Sequence, residues 1–314
     1  MSASTPIARV QTTGFVALPP DPRDFKLESA DGSLTTASEL PASVDLRPHL
    51  PPVKDQGAAG SCGAFSASAV IEFHAKSARA IDYAISPQFI YDNRAEDSPG
   101  MTMNDIGKLI CKLGSPPEAA YPYEERDRRE TPCPSMFEVA QRFVGDSFYF
   151  IFTATTLKKA LHDIGPVIIG VLLHRAFHVD GLAPMWISSG ADAGFGGHAM
   201  VVVGYDDSET SSDGQKKGAF FIRNSWGPAW NDDGHARMFY DEFEQIKREN
   251  PFLPQCMAVL DGSMLQEDPL ADGNIPTCSA PTADPDEVPP DTPSDAKPVP
   301  LGDVLNAMFR TVSP

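Results

Sequence analysis

Apolar residues recur at helical spacing in the first half of the central region of this chain. After Cys62, residues 64–79 contain neither glycine nor proline, and Phe65, Ala69 and Phe73 recur at every fourth position. This spacing is typical of a helix with an apolar face. The pattern therefore predicts a buried helix whose N-terminus lies at Cys62.

Two further helices are predicted downstream of this one. Ser86 precedes Pro87, an arrangement in which serine caps the helix and proline takes its first position. Residues 103–113 place Ile106 and Ile110 on one apolar face, and Gly114 follows as a stop signal. Residues of about 43–141 are therefore expected to be mainly helical.

From about residue 142 the pattern changes to short runs rich in Val, Ile and Phe. Thr155 and Thr156 are expected to cap a short helix that ends at Gly165. Strands are predicted at 167–173, 199–205, 219–223 and 235–240. A helical part followed by a β part, over about 142–262, predicts an α+β fold with two subdomains and a cleft between them.

The two ends of the chain differ in composition from this central region. Residues 1–42 are rich in turn-forming residues and predict an extended N-terminal arm, in which residues 14–18 alternate like an edge strand. The segment from Glu267 to Lys297 contains eight acidic residues and only one lysine, and this composition predicts a disordered tail over 263–314. Apolar residues within 301–309 are spaced like one helix face and leave two interpretations open, a docking segment or a frayed end.

Net charge and hydropathy exclude two kinds of partner. The formal net charge of −18 leaves no basic stripe for nucleic acid. No apolar run is long enough for a membrane span, and the first 13 residues lack the features of a Sec signal peptide. We expect a soluble monomer that is cytoplasmic by default, with secretion by a non-Sec route left open.

The cysteine count points to a free thiol. Five cysteines occur, at positions 62, 111, 133, 256 and 278, and pairings 111–133 and 256–278 are both left open. Cys62 is the candidate nucleophile because a helix N-terminus favours its thiolate. Gly60 and Ser61 leave room for a substrate backbone, and the Cys62 N–H is placed to stabilise an oxyanion. The alternative is a buried, inert cysteine.

A histidine and an asparagine far along the chain complete the candidate site. His198 follows Gly196 and Gly197 and precedes an apolar run, which places its ring at the mouth of a buried strand. Asn224 ends another predicted strand and offers an oxygen that would fix the imidazole tautomer. Trp226 lies two residues further on and would cover that hydrogen bond. Residues 231–234 are interpreted as a turn and not as a calcium loop, and no metal site or cofactor is expected.

Three blocks in this order resemble the papain-like cysteine peptidases. The blocks are Gln56-Gly57-x-x-Gly60-Ser61-Cys62, Gly197-His198-Ala199 and Asn224-Ser225-Trp226-Gly227, within a likeness that extends over about 40–260. The resemblance implies a papain-like two-subdomain fold, with a helical left subdomain and an antiparallel, β-barrel-like right subdomain. It also implies an endopeptidase that cleaves protein or peptide substrates through a thioester.

The resemblance assigns a role to each matched residue. Cys62 would be the nucleophile, His198 the general base and acid, and Asn224 the residue that orients His198. Gln56 would donate to the oxyanion beside the Cys62 N–H, and Trp226 would shield the Asn224–His198 bond. Substrate contacts are expected at Gly60, Ser61, Gly197 and Ala199. The competing interpretations are an inactive binding protein on the same fold and a related acyl transferase.

The chain also departs from the family pattern. The family usually has a cysteine three residues before the nucleophile and an aromatic residue after it, where this chain has Ala59 and Gly63. The missing disulfide fits a reducing compartment or a bacterial-type member. Residues 98–102 replace the usual paired glycines of the cleft wall, so the substrate preference does not transfer. No long helical prodomain is expected, and we interpret residues 1–42 as a short latency segment that crosses the cleft.

Overall fold

The structure is a computed structural model of the chain that describes residues 13–29, 34–79, 82–95, 99–127, 129–173 and 196–260. All of them belong to the first of two compact units, residues 1–277, and the second unit, residues 278–314, lies outside the described residues. The predicted acidic tail, its apolar segment at 301–309 and the first twelve residues also lie outside them. The expected arm–peptidase–tail division, the docking segment and the monomeric state therefore stay predictions of the sequence.

Four helices build most of the helical part. They are α1 (Cys62–Arg79), α2 (Pro87–Asp92), α3 (Met103–Lys112) and α4 (Pro134–Ala140). Helix α1 begins at Cys62 as predicted, and it contacts both α2 and α3. Every residue from Cys62 to Ala75 is buried, and Ala64, Ala67, Val70 and Ile71 have no exposed surface. A helix buried all round holds its N-terminus in a fixed place, which is what a reactive side chain at that end requires.

The helix ends follow from local chemistry. The Ser86 hydroxyl accepts a hydrogen bond from the Phe89 N–H at 3.0 Å, which confirms the predicted cap of α2. The Thr102 hydroxyl caps α3 in the same way, through the Asp105 N–H at 3.1 Å. Gly114 follows α3 with φ of +68°, a conformation that favours glycine.

The described strands form one nine-stranded sheet. They are β1 (Phe15–Val16), β2 (Ser43–Asp45), β3 (Met101–Thr102), β4 (Ser147–Ile151), β5 (Val167–Leu172), β6 (Gly197–Thr210), β7 (Lys217–Arg223), β8 (His235–Phe239) and β9 (Gln255–Leu260). The strand order is β3-β1-β6-β5-β9-β4, with β2 and β7 also paired with β6, and β8 paired with β7. Every pairing is antiparallel except the parallel pair β1–β3. All four predicted strands are present, with ends that differ from the predicted ends by a few residues.

Two further helices lie beside the sheet, α5 (Ala154–Asp163) and α6 (Tyr240–Glu249). The prediction that Thr155 and Thr156 cap α5 is wrong. Thr153 is the capping residue, because its backbone is extended and its hydroxyl accepts from the Thr156 N–H at 3.0 Å. Thr156 is thus already inside the first helical turn.

The N-terminal arm contributes β1 to the interior of the sheet. Phe15 pairs with Met101 of β3 on one side and with Gly197 of β6 on the other. The run at 14–18 was expected to be an edge strand, but β1 lies between two strands and covers only part of that run. The arm therefore bridges the edge of the helical part and the strand that begins beside His198.

Cysteine chemistry in the structure resolves the two open pairings. Cys62, Cys111 and Cys256 carry free thiols, and Cys133 is disulfide-bonded. Because Cys111 and Cys256 are free, neither pairing 111–133 nor pairing 256–278 forms.

Two properties of the described residues bear on membranes and metals. None of their helices combines the length and the apolar character that a bilayer crossing requires. Within the same residues, no three His, Cys, Asp or Glu side chains come together in a way that would hold a metal ion.

Candidate active site

The loop before α1 is tied to the segment that follows β7. The Gln56 N–H donates to the Ser225 carbonyl at 2.8 Å, and the Gly227 N–H donates to the Lys54 carbonyl at 3.0 Å. These backbone bonds fix residues 54–56, from the helical side, against residues 225–227, from the β side. The loop that precedes Cys62 therefore has a fixed position relative to Asn224.

His198 and Asn224 form the hydrogen bond that the sequence predicts. The His198 Nε2 lies 2.8 Å from the Asn224 Oδ1, and both side chains are buried. The Ser225 N–H donates to the same Oδ1 at 2.8 Å, which identifies that atom as the amide oxygen. An oxygen acceptor requires a hydrogen on Nε2, so the neutral imidazole presents Nδ1 as its proton acceptor.

Trp226 covers this pair. Its ring stacks on the His198 ring at a centroid distance of 4.9 Å and an interplanar angle of 29°. Trp230 packs edge-on against Trp226, with the ring centroids 5.4 Å apart. The indole therefore lies against the imidazole ring, and its shielding of the Asn224–His198 bond stays a prediction.

The cysteine and histidine segments meet at the sulfur of Cys62. The Ala199 N–H, in the residue directly after His198, donates to the Cys62 Sγ at 3.4 Å. Cys62 is at the start of α1 and His198 is near the start of β6, so the contact joins the two parts of the chain. Residues 137 positions apart are thus brought to one place.

Burial controls the thiol in this structure. Cys62 has no exposed surface. Removal from water raises the pKa of its thiol to about 11, and the backbone N–H groups of Ala199, Gly14 and Gly63 offset this only in part. Burial therefore favours the neutral thiol form of Cys62 in this structure.

The arm supplies part of this cover. A Cβ on Gly14 would lie 1.9 Å from the Gly60 carbonyl oxygen, so the arm backbone touches the loop beside the nucleophile. The Phe15 ring packs so closely over Gly170 that a Cβ there would lie 2.3 Å from it, and Phe15 is only 4% exposed. Gly170 pairs with Ala199 in the sheet, which places the Phe15 ring over the strand pair next to the thiol.

Gln56 is fixed at both ends of its side chain. The Nε2 donates to the Ala59 carbonyl at 2.9 Å, and the Oε1 accepts from the Ser225 hydroxyl at 2.6 Å. The amide nitrogen carries two hydrogens, so the bond to Ala59 does not exhaust its donating capacity. Ser225 was not recognised from the sequence as a residue that orients Gln56, because the two residues are 169 positions apart.

The predicted substrate-contact residues lie around the same point, with one difference. Gly60 lies beside Gly100, and Gly197 pairs with Phe15 of the arm. Ala199 is buried against the Cys62 sulfur. The Ser61 side chain is fully buried and its hydroxyl lies 2.9 Å from the Tyr123 hydroxyl, so this side chain is turned into the protein interior.

A partly buried cluster of charged residues lies near the site. The Lys54 ammonium lies 2.7 Å from a carboxylate oxygen of Glu72 and 2.7 Å from one of Glu118. Burial raises the pKa of Glu72 and Lys54 partly offsets that effect. Burial likewise lowers the pKa of Arg223, which donates to the Pro52 carbonyl at 2.8 Å. The cluster joins the loop before α1 to the end of β7, next to Asn224.

The geometry defines a class of protein, a cysteine-dependent hydrolase with its thiol at a helix N-terminus and its imidazole on a sheet. Comparison with known sequences makes this specific. The pattern of the papain family of cysteine proteases matches residues 40–252, more than half of the chain. The chain belongs to this family, and it is a cysteine-type peptidase, as the sequence blocks predicted.

Individual relatives agree with this assignment. The chain is 32% identical over 234 residues to cathepsin B-like CP2 of Giardia intestinalis. The alignment covers 66% of this chain and 71% of that protein. It is 30% identical over 207 residues to cathepsin K of Mus musculus. This second alignment covers 63% of this chain and 59% of that protein. The match with cathepsin K thus spans less than two thirds of that protein's length.

Solved structures confirm the predicted papain-like α+β fold. Xylellain, a cysteine protease from Xylella fastidiosa, superimposes with a TM-score of 0.64 at 24% identity, over 82% of this chain and 99% of that chain. Digestive procathepsin L2 from Tenebrio molitor larval midgut superimposes with a TM-score of 0.61 at 24% identity, over 80% and 78% of the two chains.

Proposed function

We propose that this chain hydrolyses peptide bonds in protein substrates, with Cys62 as nucleophile, His198 as general base and acid, and Asn224 as the residue that orients His198. The observation that carries the assignment is the 2.8 Å bond from His198 Nε2 to Asn224 Oδ1, beside a Cys62 sulfur that the Ala199 N–H contacts at 3.4 Å. This arrangement leaves Nδ1 to exchange a proton with the thiol.

The chemistry follows in two halves. The Cys62 sulfur attacks the substrate carbonyl after its proton passes to His198, and the oxyanion that forms is stabilised by the Cys62 N–H and the Gln56 amide. Collapse of this intermediate breaks the C–N bond, and the leaving amine takes the proton from His198. A water molecule, deprotonated by His198, then attacks the thioester and releases the acid and the free thiol.

We also propose that the N-terminal arm keeps the enzyme latent. The support is that β1 lies between β3 and β6, that Phe15 is buried over Gly170, and that Gly14 touches Gly60. The Gly14 carbonyl accepts from the Met101 N–H at 2.7 Å, so the arm backbone is bound to β3. An arm bound in this way blocks the cleft.

An active-site labelling experiment tests the proposed function. An epoxysuccinyl peptide should label the Phe15→Ala chain, in which the arm is displaced, and should not label the same chain with Cys62→Ser. Cys111→Ser is the matched control, because Cys111 is a free thiol outside the site. Hydrolysis of casein should be lost together with labelling. Labelling without hydrolysis would point to an acyl transferase, and absence of both would indicate a binding protein.

Replacing Gln56 with alanine in the Phe15→Ala background should lower kcat for a peptide amide by about a hundredfold or more. The Cys62 N–H remains as a donor, so activity should be reduced but measurable. Gln245→Ala is the matched control, because Gln245 is an exposed glutamine on α6. Steady-state kinetics of both variants check the prediction, and a Gln56→Ala rate equal to that of the control would contradict it.

A further inference from the structure

We propose that Glu125 and Asp127 are positioning residues that hold the loop carrying the oxyanion donors in its working geometry. We call residues 56–61 the nucleophile loop and residues 123–127 the clamp segment. The inference rests on the proposed roles of Gln56 and Cys62, and it assigns a function to a segment that no catalytic motif of the sequence includes.

Two carboxylates of the clamp segment accept hydrogen bonds from the backbone of the nucleophile loop. Glu125 Oε1 accepts from the Ala58 N–H at 2.8 Å, and Asp127 Oδ1 accepts from the Gly60 N–H at 3.0 Å. Hydrogen bonds to ionised acceptors are among the stronger ones in proteins. The N–H groups of Ala58 and Gly60, two residues apart in the loop, are thus bound by the side chains of Glu125 and Asp127, two residues apart in the clamp segment.

Tyr123 adds contacts to both ends of the loop. Its hydroxyl donates to the Gln56 carbonyl at 2.6 Å and lies 2.9 Å from the Ser61 hydroxyl. Its ring packs edge-on against Phe65 of α1, with the centroids 4.7 Å apart. The clamp segment therefore touches the loop at its start, its middle and its end.

The fit of Glu125 is close enough to restrict the loop sterically. A Cβ on Gly57 would lie 2.3 Å from the Glu125 carboxyl carbon, and Gly57 has φ of +61°. Glu125 itself has φ of +54°, which is uncommon for a residue with a side chain. Backbone strain of this kind is typically held in place by surrounding contacts at functional sites.

Asp127 is fixed from its other side by α2 and the residues after it. The Tyr91 hydroxyl donates to Asp127 Oδ1 at 2.8 Å, and burial raises the Tyr91 pKa, so that the hydroxyl remains a donor. Arg94 is fully buried, donates to the Asp127 carbonyl at 2.6 Å, and lies with its guanidinium 3.9 Å from the Tyr91 ring centroid. The Asp127 carboxylate is therefore a rigid support for the Gly60 N–H.

The nucleophile loop depends on such support because no disulfide bond holds it, since Ala59 stands where the family usually has a cysteine. Ala58, Ala59 and Gly60 lack side chains that could anchor it, yet the loop must place the Gln56 amide and the Cys62 N–H around one oxygen atom. Displacement of a catalytic group by about 1 Å can cost on the order of a hundredfold in rate. The clamp segment supplies the missing anchor through acceptors on the backbone.

The test compares Asp127→Ala with Asp127→Asn in the full-length Phe15→Ala chain. We expect Asp127→Ala to lower kcat for a peptide amide about 10- to 100-fold with KM nearly unchanged. Asp127→Asn should retain most of kcat, because its amide oxygen still accepts from the Gly60 N–H and the Tyr91 hydroxyl. Glu125→Ala and Glu125→Gln should differ in the same direction, and Glu249→Ala, an exposed glutamate on α6, is the control.

A second readout separates positioning from folding. Alkylation of Cys62 by iodoacetamide displaces iodide at a saturated carbon and needs no oxyanion donor. Its rate should therefore stay within about twofold of the parent in Asp127→Ala, while amide hydrolysis falls. Parallel loss of alkylation and hydrolysis would overturn the proposal. So would a rise in KM at constant kcat, which would make Asp127 a substrate contact.

Hydrogen exchange keeps the inference testable even if the parent hydrolyses nothing, an outcome that would refute the proposed function alone. The Gly60 amide should exchange at least tenfold faster in Asp127→Ala than in Asp127→Asn, measured by NMR on the full chain. The Ala58 amide should respond to Glu125→Ala in the same way. Equal exchange rates in the paired variants would overturn the proposed clamp.

Discussion

Replacing His198 with alanine in the Phe15→Ala chain should lower kcat/KM for peptide hydrolysis by about four orders of magnitude. The imidazole is needed twice, to take the thiol proton and to deliver a proton to the leaving amine. Loss of the base in comparable nucleophile–base systems costs on the order of 10⁴-fold or more. The oxyanion donors remain, so a small residual rate is expected.

Two further variants make this prediction specific. Asn224→Ala should cost less than His198→Ala, because the ring remains stacked on Trp226 but loses the acceptor that fixes its tautomer. His162→Ala is the control, because His162 is exposed and pairs with Asp163 on α5. Rates would be measured with a fluorogenic peptide amide and by iodoacetamide alkylation of Cys62 near neutral pH. If His198→Ala keeps either rate within tenfold of the parent, the assignment of the base is wrong.

The chemistry of the site could be predicted because each residue has a distinctive local setting. Cys62 follows a small-residue loop and starts an apolar helix, and the structure places it at the first residue of α1. His198 and Asn224 lie at strand ends, and a strand end is where a side chain can leave the sheet and meet another element. The structure brings these segments together, as the family resemblance implied.

The supporting contacts could not be predicted, because they join segments distant in sequence without a local signal. Gly60 and Asp127 are 67 positions apart, and nothing in the composition of residues 123–127 distinguishes them from an acidic surface turn. Strands β4 and β9 were also missed. Their short segments show no clean alternation, and they pair with each other across more than 100 residues, so pairing and not local pattern determines their structure.

The position of the arm in the sheet could not be predicted from the sequence either. Its alternating run was visible, but the sequence does not contain the information that β3 and β6 leave a gap for one more strand. A short strand at an edge and a short strand in a cleft look alike in sequence. The difference matters for the proposed latency, because a strand between β3 and β6 brings Gly14 against Gly60, in the loop before Cys62.

Phe15→Ala should raise the rates of Cys62 alkylation and peptide hydrolysis in the full-length chain by about 10- to 100-fold. The buried Phe15 ring contributes about 2–3 kcal/mol to docking of the arm, by the usual value for burying a large apolar side chain. Loss of this amount shifts the balance between covered and uncovered cleft by roughly one to two orders of magnitude. The rates rise in proportion as long as the uncovered form is the minor one.

The pH dependence of the Cys62 alkylation rate provides a second, independent test of the arm's role. In the covered state, burial raises the Cys62 pKa to about 11, so little thiolate exists at neutral pH and the alkylation rate should climb only in alkaline solution. Uncovering Cys62 exposes the thiol to water and so removes burial, which is the largest cause of its raised pKa. The inflection of the rate against pH should therefore move downward in Phe15→Ala, which a stopped-flow alkylation series would measure.

Val16→Ala is the matched control for the arm, because Val16 is 41% exposed and its side chain adds little to docking. Gly14→Ala is a second release variant that acts by a different cause, since its Cβ would meet the Gly60 carbonyl oxygen at 1.9 Å. Both release variants should lower the inflection pH, and Val16→Ala should leave it near the parent value. If all three chains match the parent in rate and in inflection, the arm does not control access to Cys62, and latency must be assigned elsewhere.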